Sequence, residues 1–183
     1  DTAVLPKLFP EYIAEFQKVL EKYNLNCAYY AHIATGELHL SPLLNLKNPA
    51  DVATYRNLAN DIARLVKKYR GSLSGEHGDG RLRGEFIPLM LGEYNYKLLK
   101  ELKRTWDPEN IFNPGKIIDT PPMDRNLRQI PEKKSHQFKT TFRFPEKGGW
   151  LHAIEMCSGS GDCRKSSLIG GTMCPTFMAT LDE

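Results

Sequence analysis

The stretch Cys27-Ala28-Tyr29-Tyr30-Ala31-His32-Ile33-Ala34-Thr35-Gly36-Glu37-Leu38-His39-Leu40-Ser41-Pro42-Leu43-Leu44 decides the fold. Residues 27–33 and 37–44 read as two antiparallel strands around a turn at Thr35-Gly36. With 35 and 36 as the turn residues, strand partners add to 71, and His32 faces His39. Direct cross-strand partners stand about 4.5–5.5 Å apart at Cβ, on one face. Tyr29, Ala31, Ile33, Leu38 and Leu40 then form an apolar face suited to packing against helices. Tyr30, His32, Glu37, His39 and Ser41 form the other face.

Outward from the hairpin the pattern is helical. Tyr12, Ile13, Phe16, Val19, Leu20 and Tyr23 recur every three to four positions after Pro10. Asn48-Pro49 starts a second helix, whose apolar face runs from Val52 through Leu58 and Val66 to Tyr69 and which stops at Gly71. Short strands are expected at 2–5 and 72–75. The order β-α-β-β-α-β predicts an α+β, ferredoxin-like sandwich on an antiparallel sheet. A further helix is expected over about 88–105, before Asp107-Pro108.

Composition removes several classes. The 183 residues hold 25 Lys and Arg against 22 Asp and Glu, a net +3, too balanced to indicate a nucleic-acid binder. Apolar runs fall well short of the roughly 20 residues of a transmembrane helix. Four cysteines are too few for a disulfide scaffold. Asp1 opens the chain without a Met or a signal-like stretch, and Glu183 closes it shortly after Cys174-Pro175. Both ends are expected to be cuts.

Three clusters stand out. Adjacent imidazoles at His32 and His39 suit a divalent metal, or are two solvent-facing strand histidines. Gly75-Glu76-His77-Gly78-Asp79-Gly80-Arg81 places an acid and a base among glycines that let backbone approach a ligand. Glu76 completes a His/His/Glu ligand set, and His77 is a candidate general base. The bland alternative is a glycine-rich surface loop. Gly78, Gly80 and Gly84 do not fit the dinucleotide-binding spacing. The third cluster, Trp106 to Lys116, holds Pro108 and Pro114 and reads as a structural turn.

In order and distance these clusters resemble the C-terminal domain of FAD-linked oxidases. D-lactate dehydrogenase, the glycolate oxidase flavoprotein subunit and D-2-hydroxyglutarate dehydrogenase belong there. The matching motifs are His32 with Leu38-His39, then Gly75 to Gly80, then Asp107-Pro108 through Asn113-Pro114-Gly115-Lys116, over residues 1–118. The resemblance implies flavin-dependent oxidation of a small 2-hydroxy acid. His32, His39 and Glu76 would bind a divalent metal such as zinc, and His77 would take the substrate hydroxyl proton. Asn113, Gly115 and Lys116 would lie near FAD, held mainly by an upstream domain. Many members read His-x-Gly-Asp-Gly-Asn-Leu-His, where this chain has Ala34-Thr35 for Gly-Asp and Glu37 for Asn. An extra carboxylate repels an anionic substrate unless a metal or an Arg offsets it.

Residues 119–150, with Pro121, Pro122, Pro131 and Pro145, read as a linker or wrapping arm. Residues 151–183 hold Cys157, Cys163 and Met173-Cys174-Pro175. Cys-Pro is typical of ferredoxin-type ligation, although the usual Cys spacing is missing. The tail resembles the start of an iron–sulfur domain fused to some FAD-linked oxidases. A 4Fe-4S cluster would then be incomplete here, and electrons would pass to an acceptor protein or a quinone. A loop with free thiols and a zinc site are the alternatives. Cys27 reads as a buried core thiol. Clustered thiols favour a reducing, cytoplasmic setting, with or without peripheral attachment to the inner membrane. A non-enzymatic electron-transfer or metal-binding module is the competing function.

Overall fold

In the computed structural model the hairpin pairs β2 (Cys27–His32) with β3 (Glu37–Pro42), antiparallel as expected. Its register differs from the expected one. His32 pairs with Glu37 and Tyr30 with His39, so partners add to 69. The turn is four residues, not two. Ile33–Thr35 form a 3-10 turn, Thr35 Oγ1 donates to the carbonyl of His32 at 3.0 Å, and Gly36 closes the loop at φ 84°. Four-residue hairpin loops are commonly built around such a turn. A shift of two preserves the faces, because side chains alternate with period two. His32 and His39 therefore stay on one face as diagonal neighbours.

The structure describes residues 1–133, 139–165, 167–170 and 174–181. They fall in two compact units, Asp1–Lys133 and Lys134–Glu183. The first combines helices with a small antiparallel sheet, an α+β architecture, and residues 119–133 lie within it. Strand order is β1-β3-β2, with β1 spanning Thr2–Ala3. The expected fourth strand over 72–75 shrinks to one antiparallel bridge, Ala3 to Ser72. Gly75 N–H still donates to Asp1 O at 3.1 Å, and there the chain passes against the Glu37 side chain on the polar face of the hairpin.

Helices α1 (Phe9–Lys22) and α2 (Pro49–Lys68) cover the other face. Tyr12, Phe16 and Leu20 of α1 are buried four residues apart, and Leu58, Ala63, Leu65 and Val66 of α2 are buried with them. Leu38 is buried from the sheet side, and Ala31 and Leu40 pack partly against the same core. Tyr29 and Ile33, expected on this apolar face, are exposed, and Ile33 belongs to the turn. The two helices run antiparallel. Lys68 pairs with Glu15 near one end, and Lys22 pairs with Asp61 near the other. Asn48 caps α2 as read, its side chain accepting from Ala50 N–H at 2.9 Å. At the far end Arg70, not Gly71, takes the left-handed position at φ 53°. Its N–H bonds Lys67 O at 2.9 Å while Gly71 N–H bonds Val66 O at 3.0 Å, the paired closure of a Schellman motif.

The single helix expected over 88–105 is broken into α3 (Ile87–Leu91) and α4 (Glu93–Trp106). Gly92, at φ 84° and ψ 156°, interrupts it. The second unit holds two short helices, α5 (Trp150–Glu155) and α6 (Pro175–Thr180). Met173 lies outside the described residues, as do residues 134–138 of the stretch read as a linker. Among the described residues no helix is long and apolar enough to cross a membrane.

Candidate functional site

Alternation along β2 and β3 presents His32, Glu37 and His39 on one face. The two imidazole centroids lie 5.3 Å apart, edge to face, with Tyr30 stacked on His39 at 5.5 Å. The loop after the Ser72 bridge brings Glu76 to them. Its Oε1 stands 3.4 Å from His39 Nε2 and 3.9 Å from His32 Nε2. His77 also stacks on His39, 5.1 Å between centroids, with its Nε2 3.6 Å from Glu76 Oε1. The hairpin histidines, Glu76 and His77 thus form one cluster.

Asp1 holds the loop in place. Its carboxylate accepts from Ser74 Oγ at 2.9 Å and from the backbone N–H of Glu76 and His77 at 3.3 and 2.9 Å. That side chain is 1% exposed, and Arg83 approaches it at 3.8 Å. Arg83 also donates to Gly78 O at 3.1 Å. Asp1 has no counterpart in the sequence reading, because a long-range loop clamp leaves no local pattern.

Glu37, expected as an extra carboxylate facing the substrate, is buried instead. Although on the His face, it is only 8% exposed. Among the described residues its Oε1 is the one buried side-chain polar atom without a hydrogen-bond partner. Ligand atoms of His32, Glu37, His39 and Glu76 all lie within 4.8 Å of one another, and those of Asp1, His39 and His77 do the same. Two imidazoles and two carboxylates suit a divalent ion, and donors on one ion, each about 2.1 Å from it, stand roughly 3–4 Å apart.

The third cluster is organised by Asp107, the C-cap of α4. Its carboxylate accepts from the N–H of Ile111 and Phe112 at 2.8 and 2.9 Å and pairs with Lys103. Burial alone would raise its pKa, but Lys103 and the two amides hold it below the usual carboxylate range. Asn113 and Gly115 take left-handed conformations at φ 48° and 68°. With Lys116 they line a cleft of about 220 Å³ that also has Lys103, Arg104 and Asp119 on its wall. Ile117 N–H donates to Gly80 O at 2.8 Å, tying this turn to the loop that carries His77.

In the second unit Cys157 and Cys163 are exposed and Cys174 is half-buried, all as free thiols. Cys174 caps α6, its sulfur accepting from Phe177 N–H at 3.4 Å. The three do not form a three-ligand group among the described residues. Cys27 is half-buried against the core of the first unit, and burial pushes its thiol pKa up.

A family model described as FAD linked oxidases, C-terminal domain, matches residues 1–117. The chain is 32% identical over 180 residues to D-2-hydroxyglutarate dehydrogenase of Escherichia coli (strain K12), covering 98% of this chain and 17% of that protein. It is 35% identical over 191 residues to D-2-hydroxyglutarate dehydrogenase of Pseudomonas putida, covering 100% of this chain and 18% of that protein. It is 28% identical over 118 residues to D-lactate dehydrogenase of Archaeoglobus fulgidus, covering 64% of this chain and 26% of that protein. The chain thus spans less than a fifth of the length of the first two relatives.

Proposed function

The chain belongs to the family of FAD-linked oxidase C-terminal domains, and from that premise we propose that it forms the substrate side of a flavin-dependent 2-hydroxy-acid dehydrogenase. One observation carries the reading: His77 stacks at 5.1 Å on His39, which itself stands 3.4 Å from Glu76. That proximity supports taking His77 as a proton acceptor beside a set of metal ligands. Similarity to the named D-2-hydroxyglutarate dehydrogenases runs through the cysteine tail, while the D-lactate relative matches 64% of the chain. This favours D-2-hydroxyglutarate as the substrate. The same reading takes the fold as ferredoxin-like, the Ala3–Ser72 bridge marking where a fourth strand pairs with β1.

His32, His39 and Glu76 would hold a divalent ion, zinc or one like it, and the ion would supply positive charge for the substrate carboxylate and hydroxyl. FAD, when bound, supplies the hydride acceptor, and the wall formed by Asn113, Gly115 and Lys116 would flank it. His77 accepts the hydroxyl proton at an imidazole nitrogen. Asp1 fixes the backbone that aims this ring, and the aromatic wall of Tyr30 shields His39. We read Cys157, Cys163 and Cys174 as ligands of an iron–sulfur centre that passes electrons to a protein or quinone acceptor, in the cytoplasm or at its membrane face.

The test uses the flavin-loaded enzyme that carries this chain. His77→Asn should cut turnover of D-2-hydroxyglutarate about 10²–10⁴-fold while metal still binds. His39→Ala should remove metal and turnover together. Full turnover in His77→Asn overturns the base assignment. Unchanged metal content in both His32→Ala and His39→Ala overturns the site.

A further inference from the structure

Resting on that reading of the metal site, we propose that Glu37 supplies a fourth protein ligand, so that the ion is held by two imidazoles and two carboxylates. Glu37 stands in the central strand β3, opposite Ala3 on one side and His32 on the other. Neighbouring strands therefore enclose it, and its side chain is almost wholly out of water. A buried polar atom left without a partner has lost its water and gained nothing in return, which destabilises the fold. No Lys or Arg among the described residues forms an ion pair with it. The side chains with ligand atoms within 4.8 Å of it are His32, His39 and Glu76, all metal-ligating types.

The fold also makes room for this carboxylate. A Cβ on Gly75 would stand 2.3 Å from Glu37 Oε1 and 2.8 Å from its Cδ. The loop that delivers Glu76 thus passes Glu37 at a distance only glycine allows. An orphan acceptor, a cradle shaped around it and a ring of donor atoms within 4.8 Å point to one cation as their common partner.

Four protein ligands change what the site selects. A four-coordinate zinc site with four protein ligands is closed. A six-coordinate ion leaves two positions, matching the carboxylate and hydroxyl oxygens of a 2-hydroxy acid. Octahedral, oxygen-rich sites suit ions such as Mn²⁺. Two carboxylates bring the occupied site to zero net charge from these ligands, so the ion offsets the repulsion that Glu37 would otherwise exert on an anionic substrate.

The test titrates the purified protein with Mn²⁺ and with Zn²⁺ and follows its melting temperature without metal. Glu37→Gln should lower Mn²⁺ affinity at least about tenfold, and lower Zn²⁺ affinity less. It should also raise the melting temperature of the metal-free protein, since the buried acid group without a partner is gone. Gly75→Ala, which pushes Glu37 aside without altering its charge, should reproduce the loss of Mn²⁺ affinity. Unchanged Mn²⁺ affinity in both variants, with His39→Ala abolishing binding, overturns the role of Glu37 and leaves the His/His/Glu site standing. Unchanged affinity in His39→Ala as well overturns the site and this proposal with it.

Discussion

Asp1 and His77 are 76 residues apart in the chain, yet the Asp1 carboxylate accepts the His77 backbone N–H at 2.9 Å. The same carboxylate takes the N–H of Glu76 and the hydroxyl of Ser74. Each such bond contributes about 0.5–1.5 kcal/mol net, and those to a charged acceptor more. Asp1→Ala should therefore free the loop more than it harms the fold. Hydrogen exchange of the Glu76 and His77 amides should accelerate while core amides in α1 stay protected. Metal affinity should fall about 10–100-fold, as for groups that orient ligands. Unaltered exchange at both amides would contradict this.

Asp107 ties the acid stability of the protein to its third motif. Its folded pKa lies below the ordinary value, so the stabilisation is full above about pH 4, the unfolded pKa, and fades as pH falls through the lower folded one. Asp107→Asn cannot pair with Lys103 and presents one acceptor oxygen to two amides. Denaturant melts across pH 2–6 should show lower stability near pH 6 and a flatter acid limb in this variant.

Tyr12 should set an alkaline limit. Burial pushes its pKa up to about 12, against a small opposing contribution from its 3.1 Å hydrogen bond with Thr2. The unfolded chain releases this proton near pH 10, while the folded chain keeps it until about 12. Stability should thus be complete below pH 10 and drop by roughly 2–3 kcal/mol between pH 10 and 12. Tyr12→Phe should lose about 1 kcal/mol at neutral pH and show a shallower alkaline fall.

Gly92 holds a conformation that residues with a side chain rarely adopt. Gly92→Ala should cost about 1–3 kcal/mol in a denaturant melt. Because nothing lies within 4 Å of its added Cβ, the cost is backbone strain alone. A loss below about 0.5 kcal/mol would mean that α3 and α4 rejoin without penalty, contrary to this account.

In the enzyme that carries this chain, anaerobic reconstitution with iron and sulfide should load iron that depends on the cysteine tail. Cys157→Ser, Cys163→Ser and Cys174→Ser should each lower the iron bound, while Cys27→Ser should not. Equal iron in all four variants would remove the iron–sulfur reading.

What could be read directly from the chain was whatever is local or periodic. The buried residues of α1 lie at the helical spacing of Tyr12, Phe16 and Leu20. Asn48-Pro49 carries its own cap, and Asp107-Pro108 its own turn. Even the mistaken hairpin register left His32 and His39 on the right face, because an error of two residues is invisible to a period of two. The break at Gly92 was missed because the periodicity on either side of one glycine looks continuous.

The residue types of the site, two histidines and the Glu76-His77 pair, were thus determined by the sequence itself. Only the tertiary structure decided that Glu37 is a buried, unpartnered member of the cluster rather than a surface charge on its edge. It also decided that Asp1 clamps the loop bearing Glu76 and His77. The reason is physical. Burial and partnership at Glu37 depend on how closely Gly75 passes, 38 positions later in the chain. Local pattern says which groups a strand presents, and only long-range packing says which of them lose their water.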